Sequence, residues 1–228
     1  MKQRKRLLSF ACFGSAAVLF TLLVAFVGKA PVGPAGTEVG FAGLNNAIAG
    51  VFPYNGFFYT VSKLVGFLAI AVAGLFSLLA VLEFVQRKSI RRIDAELLAL
   101  VCTYALTVAL YVLFEVVVVN YRPIIMPGEV MPEASFPSSH TLLAVTIFGS
   151  ALFAMTRYLK DERVRRIVRV VFLVFIAVMT VGRLVSGVHW FTDILGGVLY
   201  SLALISFYRL MLEVFRKSAK HHAPRKTR

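Results

Sequence analysis

Six stretches of this chain, residues 7–28, 56–85, 95–120, 140–156, 167–182 and 191–214, are apolar enough and long enough, or nearly so, to cross a lipid bilayer. Spanning a hydrocarbon core of ~30 Å takes about 20 residues of helix. Lipid offers no hydrogen-bond partner, so each run has to satisfy its own backbone, and a helix does this. Composition agrees: 59% of residues are hydrophobic, only 16% are charged, and the mean hydropathy is +0.80. A water-soluble domain of 228 residues has too little interior to bury that much apolar surface. The expected fold is all-α, a polytopic membrane protein with six transmembrane helices in a single membrane domain. Residues 1–55 supply an anchor helix and outer loop, 56–213 a helical core, and 214–228 a basic tail.

Lys and Arg together exceed Asp and Glu by 14. Such a balance suggests a nucleic-acid partner, but the location of the charge argues for a membrane instead. The positive residues cluster between apolar runs: Lys2, Arg4, Lys5 and Arg6, then Arg87, Lys88, Arg91 and Arg92, then Arg157 to Arg169, then Arg216 to Arg228. The alternate connections carry only Lys29, Arg122 and Arg183. This alternation is how multi-pass proteins fix their orientation. It predicts a cell-membrane protein with both termini cytoplasmic and the other three connections facing the periplasm or exterior. The tail, with His221 and His222, is expected to be disordered and drawn to anionic lipid.

Cys12 and Cys102 both lie inside apolar runs and read as plain buried thiols. The first run is longer than the ~7–15 residues of a signal sequence, so an uncleaved anchor is favoured over a signal peptide cut near Gly28-Lys29-Ala30. Residues 31–55, with Pro31, Pro34 and Pro53, begin as a loop, and Phe41 to Val51 is expected to form a short interfacial helix.

Ionisable residues in or at the edge of a span are costly, and each calls for a reason. On the outward side they form three clusters. Asn120-Tyr121-Arg122-Pro123 ends the third span. Phe136-Pro137-Ser138-Ser139-His140 opens the fourth, with Ser138 as the expected N-cap. A helix start offers free N–H groups and a positive dipole end, which suits a phosphate. The third cluster runs from Gly182-Arg183 to His189 and Asp193. Four residues apart, His189 and Asp193 share a face if both are helical. A carboxylate on one ring nitrogen leaves the other as nucleophile or base. Taken singly, Arg122 is an ordinary interfacial anchor, Ser138 an ordinary cap and His189 part of an aromatic belt with Trp190. Taken together, on one side of a membrane, they call for an anionic ligand.

Their order and spacing resemble the tripartite signature of the type-2 phosphatidic acid phosphatase superfamily: Lys-x6-Arg-Pro, Pro-Ser-Gly-His and Ser-Arg-x5-His-x3-Asp. The resemblance covers roughly residues 56–213. The superfamily includes bacterial phosphatidylglycerophosphate, undecaprenyl pyrophosphate and lipid A phosphatases and the soluble vanadium haloperoxidases. The resemblance implies a catalytic core formed by the later helices. It also implies hydrolysis of a phosphomonoester or pyrophosphate headgroup on a membrane lipid, at the outer face. His189 would be the nucleophile and form a phosphohistidine, Asp193 its orienting carboxylate, and His140 the acid and base. Arg122, Arg183, Ser138 and Ser139 would bind the phosphoryl group. No carboxylate cluster suits a divalent metal, so neither metal nor cofactor is expected.

Three positions depart from the pattern. Ser139 stands for Gly and Gly182 for Ser. Glu115 stands where the first-motif lysine belongs, and as two helical turns it would lie about 10 Å below Arg122 on the same face. Lys63 in the second span is expected to pair with Glu115 and supply the missing charge, the plainer alternatives being a snorkelling Lys63 and a protonated Glu115. Six spans argue against a soluble haloperoxidase. A lipid-to-lipid phosphotransferase and a catalytically inactive lipid-phosphate-binding protein remain the rival readings.

Overall fold

In the computed structural model, which describes residues 1–221, the described residues form seven α-helices and no β-sheet. His222 and the rest of the basic tail to Arg228 lie outside the described residues. The helices are α1 (Lys2–Phe26), α2 (Ala42–Val51), α3 (Gly56–Arg87), α4 (Ala95–Val116), α5 (Ser139–Tyr158), α6 (Glu162–Val185) and α7 (Phe191–His221). All except α2 are long and apolar enough to cross a membrane, so the chain is an all-α multi-pass membrane protein. The short helix expected at 41–51 is α2. Several boundaries differ from the sequence reading: α1 begins at Lys2 rather than 7, and α6 runs from Glu162 to Val185 rather than over 167–182. Helix α4 stops at Val116 rather than reaching 120, and α7 runs on into the region read as a tail.

Local chemistry sets several helix ends. The Asn55 side chain accepts from the N–H groups of Phe57 and Phe58 and starts α3, and Asp161 does the same for Arg163 and Val164 at α6. These contacts satisfy N–H groups that have no partner inside the helix.

Helix α5 is central, packed by α3, α4, α6 and α7. Every residue from Ala144 to Ala151 is buried, which is why this helix carries small and hydroxyl-bearing residues among its apolar ones. Phe148 stacks in tilted fashion against Phe172 and Phe175 of α6, at ring distances of 5.0 and 5.4 Å. Helix α1 runs along α7, with Ser9 meeting Ser206 at 3.2 Å and Thr21 meeting Tyr200 at 2.9 Å. Hydroxyl pairs of this kind join helices where both surfaces are otherwise apolar.

Helix α2 is pinned to the start of α7 by one buried amide. Asn45 donates to the Gly40 carbonyl (2.7 Å) and the Thr192 hydroxyl (2.9 Å), and it accepts from the Thr192 N–H (3.2 Å). Gly40 is packed so tightly that a Cβ there would fall 1.7 Å from the Val24 carbonyl oxygen. Its N–H donates to Asn120 Oδ1 (3.1 Å), which ties this corner to the segment after α4. Net values near 1 kcal/mol per hydrogen bond, plus the cost of stranding buried partners, set the expectation for Asn45→Ala: a loss of about 2–3 kcal/mol. Thermal unfolding in detergent should show a lower Tm, and an unchanged Tm would show that the amide adds nothing.

Candidate active site

The three sequence clusters converge at one end of the bundle because the chain reverses there three times. The C-terminal end of α4, the first turn of α5, the last turn of α6 and the first turn of α7 all lie at that end. The final reversal, between α6 and α7, depends on Gly187. Its φ is +67°, and a Cβ would sit 2.7 Å from the Phe52 carbonyl oxygen. Only glycine adopts that backbone without strain while allowing so close an approach.

Asp193 is the anchor of the site. Its Oδ2 accepts from the Trp190 N–H (3.0 Å), a reciprocal cap of α7. Its Oδ1 accepts from Asn120 Nδ2 at 3.3 Å, and its main-chain carbonyl accepts from the Ser138 N–H at 2.9 Å. The Asn120 carbonyl in turn accepts from Ser135 N–H (2.9 Å), and Trp190 Nε1 donates to the Tyr121 carbonyl (2.7 Å).

His189 lies in the turn before α7, so the helical spacing expected for His189 and Asp193 is not what joins them. The contact arises because Asp193 folds back across the helix start, leaving its Oδ2 3.6 Å from His189 Nδ1. The imidazole is buried, and its Nε2 has no hydrogen-bond partner. Burial first, then the charges of Arg183, Arg122 and His140, hold His189 well below the ordinary imidazole value of 6.5. The ring is therefore neutral at pH 7 with a free lone pair.

Arg183 is fully buried in the last turn of α6. Its Nη2 donates to His140 Nδ1 at 2.5 Å, and its guanidinium lies 5.3 Å from the centre of the Tyr59 ring. Its Nε and Nη1 have no hydrogen-bond partner. A guanidinium only donates, so His140 Nδ1 must accept and the ring proton sits on Nε2. Arg122 is held by Glu133, through its N–H to the Glu133 carbonyl (2.9 Å) and an ion pair at 2.9 Å, and its Nε is also buried without a partner.

Ser138 occupies the N-cap position of α5, but its hydroxyl takes no backbone N–H and accepts instead from the Thr141 hydroxyl (3.1 Å). The first turn of α5 thus keeps its N–H groups uncapped by that side chain. Ser139 borders a crevice on the α4 side, with Glu115, Tyr111 and Ser135.

The expected pairing of Lys63 with Glu115 is absent from the ion pairs of the described residues. Because α4 ends at Val116, Glu115 is in its last turn and exposed, rather than two turns beneath Arg122. Lys63 is exposed on α3, one turn before Gly66, where an added Cβ would meet the His140 ring at 3.2 Å. Its charge acts on His140 together with those of Arg183 and Arg122. Lys63 and Glu115 therefore flank different sides of the site.

Sequence reading missed Asn45, Tyr59 and Glu133. A buried asparagine in an otherwise apolar short helix was a readable signal for Asn45, whereas Tyr59 and Glu133 carry no pattern that separates them from ordinary rim residues.

A buried guanidinium with unpaired donors is costly. Arg183→Met should leave stability unchanged or raise it by about 1–4 kcal/mol at most, seen as an equal or higher Tm. Added inorganic phosphate should raise the Tm of wild type by mass action and raise that of Arg183→Met much less. Equal phosphate shifts would show that Arg183 does not contact the anion.

No curated protein sequence is significantly similar to the chain. A crystal structure described as a transmembrane PAP2-type phosphatidylglycerolphosphate phosphatase from Bacillus subtilis is similar in fold, with a TM-score of 0.61 at 16% identity. The alignment covers 96% of this chain and 99% of that one. The sequence pattern of the PAP2 superfamily matches residues 96–217, more than half of the chain, from the first turn of α4 into α7. That span takes in all three clusters around Asp193, and the chain belongs to the PAP2 superfamily.

Proposed function

We propose that this membrane phosphatase hydrolyses a phosphate or pyrophosphate headgroup on a lipid, through a phosphohistidine at the outer face of the membrane and without a metal ion. The observation that carries the reading is Arg183, buried with two of its three nitrogens unpartnered. Arg122 Nε and His189 Nε2 are buried and unpartnered beside it. A phosphoryl group would offer oxygens to the guanidinium donors and its phosphorus to the His189 lone pair. Preorganised donors of this kind are the main resource for phosphoryl transfer.

In this reading His189 Nε2 attacks phosphorus in line, and the bond from phosphorus to the lipid oxygen breaks. Asp193, next to Nδ1, stabilises the charge that develops on the ring. Phosphate oxygens take over the Arg183 donors, which frees His140 Nδ1 to take a proton from solvent. The resulting imidazolium protonates the departing oxygen. His140 then accepts a proton from water as that water attacks phosphorus, the P–N bond breaks, and free phosphate leaves. Arg122, Arg183, the Ser138 hydroxyl and the first N–H groups of α5, Ser139's included, hold the phosphoryl oxygens. Lys63 adds positive charge from the α3 side without pairing with Glu115.

The basic clusters support the orientation. Arg87, Arg92, Arg157 and Arg216 lie at the end of the bundle away from His189, as the helix order requires, and positive clusters mark the cytoplasmic side.

His189→Ala should lower kcat by about 10³-fold or more. ³²P-labelled lipid phosphate should leave acid-labile label on wild type only. Phosphate release should continue in EDTA and without an added acceptor. Full turnover by His189→Ala would overturn the mechanism, and strict dependence on an acceptor would make the enzyme a transferase. The depressed value of His189 also has a sign: the nucleophile loses a proton below pH 6.5, so the acid limb of kcat/KM that belongs to His189 should fall well below that value. For orientation, cysteines at 129 and 89 in a background lacking Cys12 and Cys102 separate the two faces. A membrane-impermeant maleimide applied to intact cells should label only the first.

A further inference from the structure

The end of the bundle opposite His189 carries a second concentration of charge that the phosphatase reading does not use. Five arginines line one open cavity of about 800 Å³: Arg87 from the end of α3, Arg91 and Arg92 from the turn that follows, Arg157 from the end of α5 and Arg216 from α7. Two carboxylates, Asp94 and Glu96, line it with them. Helix α5 separates this cavity from the catalytic cluster by about 30 Å, from 20 residues at 1.5 Å each.

The carboxylates fix three of the arginines. Asp94 reaches Arg87 and Arg157, each at 3.4 Å, and buried Glu96 holds Arg216 at 2.8 Å. Glu83 adds a second contact to Arg87 at 3.2 Å, and the Asp94 N–H donates to Glu83 (2.8 Å). Arg91 and Arg92 make no ion pair among the described residues. Setting membrane orientation requires only that positive residues lie in these loops. It does not require arginines from four separate segments to face one cavity, with carboxylates bracing three of them. Five guanidinium groups against three carboxylates, Glu83 included, leave an excess of positive charge that a further anion between them would offset. The planar fork of arginine matches phosphate oxygens in pairs.

We propose that this cavity is a second anion site, which binds the phosphate of a ligand that the enzyme does not hydrolyse. Two sources supply that chemistry at the ends of membrane helices: the phosphodiester headgroup of an anionic phospholipid, and free phosphate from the adjoining solution.

The test uses the full-length protein and Arg91→Ala/Arg92→Ala, which removes two arginines engaged in no ion pair. Turnover of a short-chain lipid phosphate by the double variant should match wild type, showing that it is folded. In the lipid arm, fluorescent phosphatidylglycerol, a diester, is titrated in neutral-lipid nanodiscs. Wild type should bind it at least about tenfold more tightly than the double variant, from roughly fivefold per cationic residue at a lipid surface. Fluorescent phosphatidylcholine should show no difference. In the soluble arm, equilibrium dialysis with ³²P-phosphate should find one more phosphate bound to wild type than to the variant. A difference in the first arm alone identifies the lipid as the ligand, and a difference in the second identifies free phosphate. Identical behaviour of the two proteins in both arms would overturn the proposal, whatever the fate of the His189 mechanism.

Discussion

Asp193 accepts hydrogen bonds from Asn120, Trp190 and Ser138, and through them it gathers the segment just after α4, the start of α5 and the start of α7 around one residue. Trp190 lies more than fifty residues along the chain from Asn120 and Ser138. The donors are satisfied only when all three stretches are in place, so the ordering entropy of each is offset by bonds that the others complete. Asn45 extends the same logic outward, because Thr192 is the neighbour of Asp193 and takes two of the asparagine's contacts. A buried network of this kind tolerates no missing member, since the remaining donors would be stranded away from water.

Arg183 shows the opposite economy. The fold buries a guanidinium and leaves two of its nitrogens unmet, a cost that the Tyr59 ring 5.3 Å away offsets only in part. Its one hydrogen bond, to His140, orients both side chains in advance. Rigid placement of unmet donors is what a site for a charged transition state requires, because the donors need no rearrangement when the charge arrives. The neutral state of His189 follows from the same crowding of cations in a dry place, so the features that burden stability also prepare the nucleophile.

The two ends of the bundle handle positive charge differently. Around His189, Arg183 is buried without a carboxylate partner, while half-buried Arg122 pairs with Glu133. At the far end the arginines are mostly exposed and braced by Glu83, Asp94 and Glu96. Bracing by carboxylates positions three of the far-end arginines at small energetic gain and leaves Arg91 and Arg92 outside any ion pair among the described residues, whereas Arg183 is left unbraced in a buried place.

Membrane class, span number and the three clusters were all legible in the chain itself. Apolar runs of bilayer length leave the backbone no alternative to helix, and the spacing of Arg183, His189 and Asp193 survives translation into three dimensions. Helix ends were less legible: α4 stops at Val116, which removed the two-turn relation of Glu115 to Arg122 and with it the pairing expected for Lys63. The contact of His189 with Asp193 was anticipated for the wrong reason, since a capping turn rather than a helical face brings them together. Which side of the bundle each charge faces, and which buried nitrogens stay unpartnered, was decided by tertiary structure alone. Periodicity along one helix says how residues are arranged around its axis, but the partner at each face comes from elsewhere in the chain. That information exists only once α3, α4, α5, α6 and α7 have packed against one another.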